Sequence, residues 1–508
     1  VRDHRCVPAA ADQRERGRLG RRADAGGALA DRRRARRRGG AQPDAHRGEQ
    51  PEGTALLNHL AAALSAQPSL EPHALLVLLD GETVLEQYWT PYVAGDRPLV
   101  YSASKTFSAT AVGLAIGEGR LALGDRLVDL LGVTTSDERV AEITVHHLLS
   151  MSTGHTEDTA LAMLDVPAQR WVEGFLSLRP QAPVGSRHVY NNGASFMLGE
   201  LIRRRTGEDL IDYLRPRLFE PLGIDATWDR SPIGECLGWS GLHVDVRGLA
   251  SLGELLRCDG VWRGRRLLPE GWVARATSLQ IPTDLTEETP EWRHGYGYQV
   301  WLGREGFRLD GAYGQFSFVL PERRMVVAVQ SAQSGTQSLI DLLWDHLGPL
   351  PAVGSTETAP DRAPRGGPTG IAVPSDSGLG LAWASSGPVP LDPTMVPDGE
   401  EVGPPADLSD LAATRSGPEL RLRLVAEGHV VELATAPGEW RRQVLRLGDA
   451  VVPVALAAGA EASGALQAQL VFTDTPHTLR LRLDDGGAAQ AWKVNPLQGP
   501  SLANMRAH

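Results

Sequence analysis

The chain has 508 residues, 42% hydrophobic and 22% charged, a length for two or three domains and a composition typical of globular protein. The net charge is −11; residues 1–50 alone carry +7, so the remainder carries −18 (−11 less +7), which argues against nucleic acid as the main partner. No apolar run reaches membrane-spanning length, the N-terminus lacks the apolar core of a secretory signal, and Cys6, Cys236 and Cys258 fit no zinc spacing, so a cytoplasmic protein with no cofactor, metal or membrane partner is expected.

Residues 1–50, rich in arginine and without helical or strand periodicity, read as a disordered tail. A helix is expected from Gly53 (“TALLNHLAAALSA”). Two strands follow in “ALLVLLDGETVLEQYW”, joined at Asp80–Gly81, a pair that tolerates the positive φ angles of a tight hairpin turn. “LVYSASKTFSATAVGLAIGEGRL” reads as a helix ended by Gly119, and helical signals predominate as far as Leu267. Strands return in “YGYQVWLG”, “GFRL”, “QFSFVLP” and “MVVAVQSA”, and “SLIDLLWDHL” closes the region as a helix. Short turns between those strands imply antiparallel pairing. Residues 51–348 are therefore expected to form an α+β catalytic domain: an antiparallel sheet flanked by helices, with a helical subdomain. Six prolines mark a linker over 349–374. The alternation in “ELRLRLVAEGHVVEL” and “HTLRLRLDDG” then predicts a small all-β domain over 375–508.

Lysine and arginine together number 51, yet only Lys105 and Lys493 are lysine. Arginine cannot give up its proton in the working pH range, whereas a buried lysine can. Ser102 and Lys105 stand three residues apart, a spacing that puts both on one helix face. Ser102 in the first turn could then act as a nucleophile and Lys105 as the base that activates it. The plain alternative is a helix-capping serine beside a solvated lysine. Downstream, “VYNNGASFMLGELI” supplies Tyr190 and Asn192. A phenol can relay protons and an amide can hold a lysine or a substrate; a cap at Asn191 or Asn192 with Tyr190 packed nearby is the structural alternative. In “FRLDGAYGQFSFVLPE”, Gly311 and Gly314 interrupt a strand, which marks either a bulge or the close approach of a ligand. The N–H groups of Ser102 and Ala312 could form an oxyanion hole. There is no Gly-x-Ser-x-Gly, so His155, His188 and His243 are weak candidates for a triad. Trp239, Trp292 and Trp301 are candidates for an acyl pocket, core packing being the commoner use of tryptophan.

These three stretches, in this order, resemble the serine β-lactamase and penicillin-binding-protein superfamily. The likeness is nearest its esterases and amidases, including class C β-lactamases and 6-aminohexanoate-dimer hydrolases, and it runs from about Ala74 to Leu347. The resemblance implies that Ser102 forms an acyl-enzyme, that Lys105 and Tyr190 share the proton transfers, and that Asn192 supports the lysine and the substrate. Penicillin-recognising members carry Lys-Thr-Gly, and many relatives His-x-Gly, where this chain has Arg308, Leu309, Asp310, Gly311 and Ala312. The missing lysine removes the usual anchor for a β-lactam carboxylate, and Asp310, if it faces the cleft, repels one. The expected activity is hydrolysis of a neutral or amine-bearing ester or small amide. The alternatives are a D-amino-acid peptidase or carboxypeptidase, a weak β-lactamase, and a catalytically silent scaffold. The C-terminal β domain shows no catalytic constellation of its own; shielding, stability and association are the roles open to it.

Overall fold

The computed structural model describes residues 50–67, 69–283, 290–348, 380–382, 406–461 and 463–507. The expected tail lies outside the described residues except for Gln50, which opens helix α1 (Gln50–Ala66), and the proline-rich segment 349–374 lies wholly outside them.

An antiparallel sheet organises the first domain. Its strands are β1 (Pro72–Leu79), β2 (Glu82–Tyr88), β3 (Trp301–Leu302), β4 (Phe307–Gly311), β5 (Gln315–Leu320) and β6 (Met325–Ser331), in the order β2-β1-β6-β5-β4-β3. Asp80 (φ 54°) and Gly81 (φ 79°) make the β1–β2 turn, as their sequence requires. Both faces of the sheet are covered, so its central strands are buried at almost every position rather than at alternate ones. Leu75, Val77, Phe316, Phe318, Val327 and Val329 pack beneath α1 and the closing helix α5 (Thr336–Leu347). Ala74, Leu76, Val319, Val326 and Ala328 face the opposite way, into a larger core shared with α2 (Ser104–Gly117), α3 (Asn192–Thr206) and α4 (Val246–Arg257).

Two local expectations change. Of “YGYQVWLG”, only Trp301–Leu302 forms a strand, because Gln299 takes φ 55° and turns the chain. Ser102 does not lie in the α-helix: it sits in a separate 3-10 turn, Tyr101–Ala103, immediately before α2, set off by Tyr101 at φ 46°.

The C-terminal domain is all β, with strands β7 (Leu408–Ser416), β8 (Glu419–Ala426), β9 (His429–Thr435), β10 (Arg441–Leu447), β11 (Ala450–Ala460), β12 (Leu466–Phe472), β13 (Thr478–Asp484) and β14 (Gly487–Trp492). They form two antiparallel sheets, the first extended by Gly380–Ala382 beside β7, around one leucine-rich core. Leu420, Leu422 and Leu424 point inward while Arg421 and Arg423 point out, which is the period-two pattern of the sequence.

This domain is fastened to the first by charge. Lys493, the second of the two lysines, pairs with Glu71 just before β1; Thr478 also donates to that carboxylate, at 3.3 Å, and His73 stands 3.7 Å from it. Burial raises the Glu71 carboxyl pKa, but Lys493 and then His73 outweigh it and bring it down to about 2. Arg442 clasps Asp96 at 2.8 Å and donates to the Pro91 carbonyl at 3.1 Å. Because the Glu71 pKa is depressed by folding, its contribution is complete above about pH 4.5 and disappears as pH falls toward 2. Lys493→Met is expected to lower unfolding stability by about 2 kcal/mol at pH 7, the pair being partly exposed. Chemical denaturation checks this, and the gap from wild type should close as pH falls from 4.5 to 2.

Candidate active site

The helix that carries Lys105 is buried at every residue from Ser104 to Ala115, although the stretch holds two serines and two threonines. Each hydroxyl is satisfied internally. Ser108 donates to Gly238 O at 2.7 Å, Thr106 to Gln299 O at 2.7 Å, Thr110 back to Thr106 O at 2.8 Å, and Ser104 to Tyr101 O at 2.5 Å while accepting from Leu242 N. The hydroxyls tie the helix to the segments around it, and a buried polar group costs little once it is paired.

Lys105 uses the same face as Ser108, one turn earlier. Its amine donates to Ser102 Oγ at 2.9 Å and to the Trp239 carbonyl at 2.7 Å, so Lys105 and Ser108 grip consecutive carbonyls of one loop. The lysine is 1% exposed. Burial pushes its pKa down, Asp158 and Asp310 push it back up, and it settles at about 7.

Tyr190 arrives from just before α3. Asn191 caps that helix, its side chain accepting from Ala194 N at 3.1 Å and from the Thr159 hydroxyl at 2.7 Å, and this fixes where the chain enters. The Tyr190 ring stacks on Trp301 (5.9 Å, 14°) and lies 4.8 Å from the Lys105 amine, which puts the phenol beside the Ser102–Lys105 pair. Burial raises the phenol pKa well above its usual value, with the neighbouring Ser102 acting against it, so Tyr190 stays protonated where Lys105 titrates.

The end of β4 closes the third side. A Cβ on Gly311 would stand 2.2 Å from the Val100 carbonyl and 3.2 Å from Ala103 N, so only glycine lets this strand lie against the Tyr101–Ala103 turn. That contact sets the end of β4, with Ala312 following it, against the turn that holds Ser102. Asp310 is engaged by Arg308 Nε and Trp292 Nε1, both at 2.9 Å, yet its charge still acts on Lys105 and Tyr190. Its carboxyl pKa is raised by burial, against the pull of Arg308.

Ser102, Lys105, Tyr190, Asp310, Gly311 and Ala312 thus converge from three distant stretches. Asn192 is bonded to Asp158 and not to the lysine. Its amide NH₂ donates to Asp158 at 2.5 Å and its backbone N–H to the same carboxylate at 2.8 Å, while the second partner of Lys105 is the Trp239 carbonyl. Asp158 and that carbonyl were not legible in sequence; one is a loop carboxylate and the other a backbone atom. Trp239 packs its ring on Trp171 and Phe196, and Trp292 and Trp301 support Asp310 and Tyr190. His155 is a buried structural residue, bonded to Thr153 and the Leu178 carbonyl. His188 packs against Tyr296 and Trp301, and His243 faces Asp229 and Asp474 O. Among the described residues no group of three or more His, Cys, Asp or Glu side chains is arranged to hold a metal ion, and no helix is long and apolar enough to cross a membrane.

Comparison with known proteins bears on the family and the fold. The sequence model of the Beta-lactamase family matches residues 57–346. Penicillin-binding protein 4 of Amycolatopsis lactamdurans is 28% identical over 309 residues, 52% of this chain and 80% of that protein. The 6-aminohexanoate-dimer hydrolase of Paenarthrobacter ureafaciens is 24% identical over 287 residues, 51% of this chain and 72% of that protein. Among solved structures, EstCE1, described as a hydrolase with promiscuous acyltransferase activity, superposes with a TM-score of 0.50 at 16% identity, over 58% of this chain and 99% of its own, a likeness of fold.

Gly311→Ala is expected to destabilise the folded protein by about 2 kcal/mol through overpacking against Val100 and to part β4 from the nucleophile turn. Thermal melting, together with the rate of covalent labelling at Ser102, checks both effects.

Proposed function

The chain belongs to the beta-lactamase family of hydrolases, and from that premise we propose that it cleaves a carboxylic ester or small amide through an acyl-enzyme on Ser102. The observation that carries this reading is the buried Lys105 amine, 2.9 Å from Ser102 Oγ, with its pKa brought to about 7. An amine that loses its proton near neutrality can accept one from the serine.

As Ser102 Oγ attacks the carbonyl carbon, its proton passes to Lys105 Nζ and the carbonyl electron pair moves onto oxygen. The N–H groups of Ser102 and Ala312 receive that oxyanion. Collapse of the tetrahedral species breaks the bond to the leaving group, which takes the proton back from Lys105 by way of the Tyr190 phenol. Water then attacks the acyl carbon and gives a proton to the same pair; the acyl C–Oγ bond breaks, Ser102 Oγ takes that proton back, and the acid leaves. Lys105 is the base in this scheme and Tyr190 the relay, because the phenol holds its proton across the range in which the amine titrates.

The two carboxylates that act on Lys105, Asp158 and Asp310, favour a neutral or amine-bearing substrate over an anionic one. A β-lactam or a carboxypeptidase substrate brings a carboxylate of its own and suits such a site poorly. An amine-bearing amide without a carboxylate of its own, such as a D-aminoacyl amide, suits it better.

A panel of p-nitrophenyl esters, aminoacyl anilides and a chromogenic cephalosporin tests this reading. Ester or amine-bearing amide turnover should exceed that of the cephalosporin, and Ser102→Ala should lose roughly 10⁴-fold in kcat/KM. Intact-mass measurement should find one acyl adduct on wild type and none on Ser102→Ala; absence of an adduct on wild type would instead indicate a silent scaffold. For a neutral ester, kcat/KM should rise with pH through a midpoint near 7, as Lys105 loses its proton.

A further inference from the structure

The C-terminal β domain does more than lean on the catalytic domain. Its Phe472–His477 turn sits on the residues that lead into the nucleophile: the Asp474 carbonyl accepts from Leu99 N at 2.9 Å and lies 3.0 Å from His243 Nδ1. Two residues further on, Tyr101 sends its side chain across the domain boundary. Its phenol oxygen meets His477 Nε2 at 2.6 Å and donates to Gln498 Oε1 at 2.6 Å. With the phenol proton committed to Gln498, the imidazole N–H is the donor to the phenol oxygen. On the other side of the site, Tyr313 donates to the Asn495 carbonyl of the same β domain. The rings of Tyr101, Tyr313 and His477 meet edge to face, with centroids 5.5–6.0 Å apart.

These two tyrosines are not ordinary surface residues. Tyr101 immediately precedes Ser102 and has φ 46°; Tyr313 immediately follows Ala312 and has φ 64°. A bulky residue in the left-handed region is strained, and the strain persists only where the surroundings over-determine the conformation. Here each strained residue adjoins a backbone N–H assigned above to the oxyanion hole, and each is pinned by its phenol to the second domain. No motif of the catalytic domain supplies those pins; they come from Asn495, Gln498 and His477, about 400 residues along the chain from Ser102.

We infer that the C-terminal β domain is a working part of the active site: by holding Tyr101 and Tyr313 in their left-handed conformations, it aims the Ser102 and Ala312 N–H groups at the same oxyanion. His477, Gln498 and the Asn495 carbonyl are positioning groups, since they act through the tyrosines and not on the substrate. The inference rests on the acyl-enzyme reading of Ser102. It also explains the Lys493–Glu71 and Arg442–Asp96 clasps, which keep the domain in register with the residues it positions.

The test uses the full chain and a p-nitrophenyl ester, with four variants: Tyr101→Phe, His477→Leu, the double variant, and His477→Gln, whose amide can again donate to the phenol oxygen. Each single variant should lower kcat and the acylation rate by about tenfold or more, with KM changing far less, because the loss falls on the transition state. The double variant should lose no more than the worse single, since both remove the same constraint. His477→Gln should recover most of the rate. Melting temperatures accompany every rate, and Gln498→Met replaces His477→Leu in the cycle if the latter does not fold. Folded Tyr101→Phe and His477→Leu proteins with kcat within about twofold of wild type, or losses that multiply in the double variant, would overturn the inference. A wild-type protein that takes no acyl adduct at Ser102 removes the acyl-enzyme reading itself, and this inference with it.

Discussion

An ammonium group withdrawn from water is the constraint around which this site is built. Lys105 is enclosed by its own helix and by the Trp239 loop, and its pKa falls from 10.5 to about 7. Between those values the unfolded chain binds a proton that the folded protein lacks, so stability rises with pH across that window and the buried amine weighs against folding below it. The cost at neutral pH is on the order of 4 kcal/mol. Offsetting it falls to the surrounding packing: a helix buried along its length, internal partners for its hydroxyls, and a large apolar core against the sheet.

The other groups at the site are arranged by packing rather than by charge. Tyr190 is stacked on Trp301 and delivered by the Asn191 cap. Gly311 allows the β4 strand to touch the Tyr101–Ala103 turn at a distance no side chain permits. Asp158, tied to Asn192, and Asp310, tied to Arg308 and Trp292, give the cleft a negative character without offering a free base beside the serine. One arrangement therefore accounts for a lysine that can lose its proton, a phenol that keeps one, and carboxylates whose charge acts on both.

The two lysines of an otherwise arginine-only chain have separate duties. Lys105 sits at the serine, whereas Lys493 pairs with Glu71 where the β domain meets β1. A compact ammonium on a flexible stem fits both places, though for different reasons: the first exploits a movable proton, the second a point charge that reaches a recessed carboxylate. Between them the β domain reaches Leu99 and Tyr101, beside Ser102, through Asp474, His477 and Gln498.

Much of the architecture was legible because it rests on local rules. The Asp80–Gly81 hairpin, the antiparallel strands from Phe307 to Ser331 and the leucine alternation of the β domain each follow from turn chemistry or from which face of a strand is buried. Ser102 and Lys105 were legible because their spacing is itself a geometric statement. What sequence could not determine were relations between segments without a shared period: the Trp239 carbonyl as the lysine's partner, Asp158 rather than Lys105 as the partner of Asn192, and the left-handed turn that takes Ser102 out of the helix. The amino-acid order by itself determined the elements, the candidate nucleophile and its neighbouring amine. Only the tertiary structure decided how that amine is desolvated and which domain holds the residues beside it, because burial and long-range hydrogen bonds exist only once distant parts of the chain have packed together.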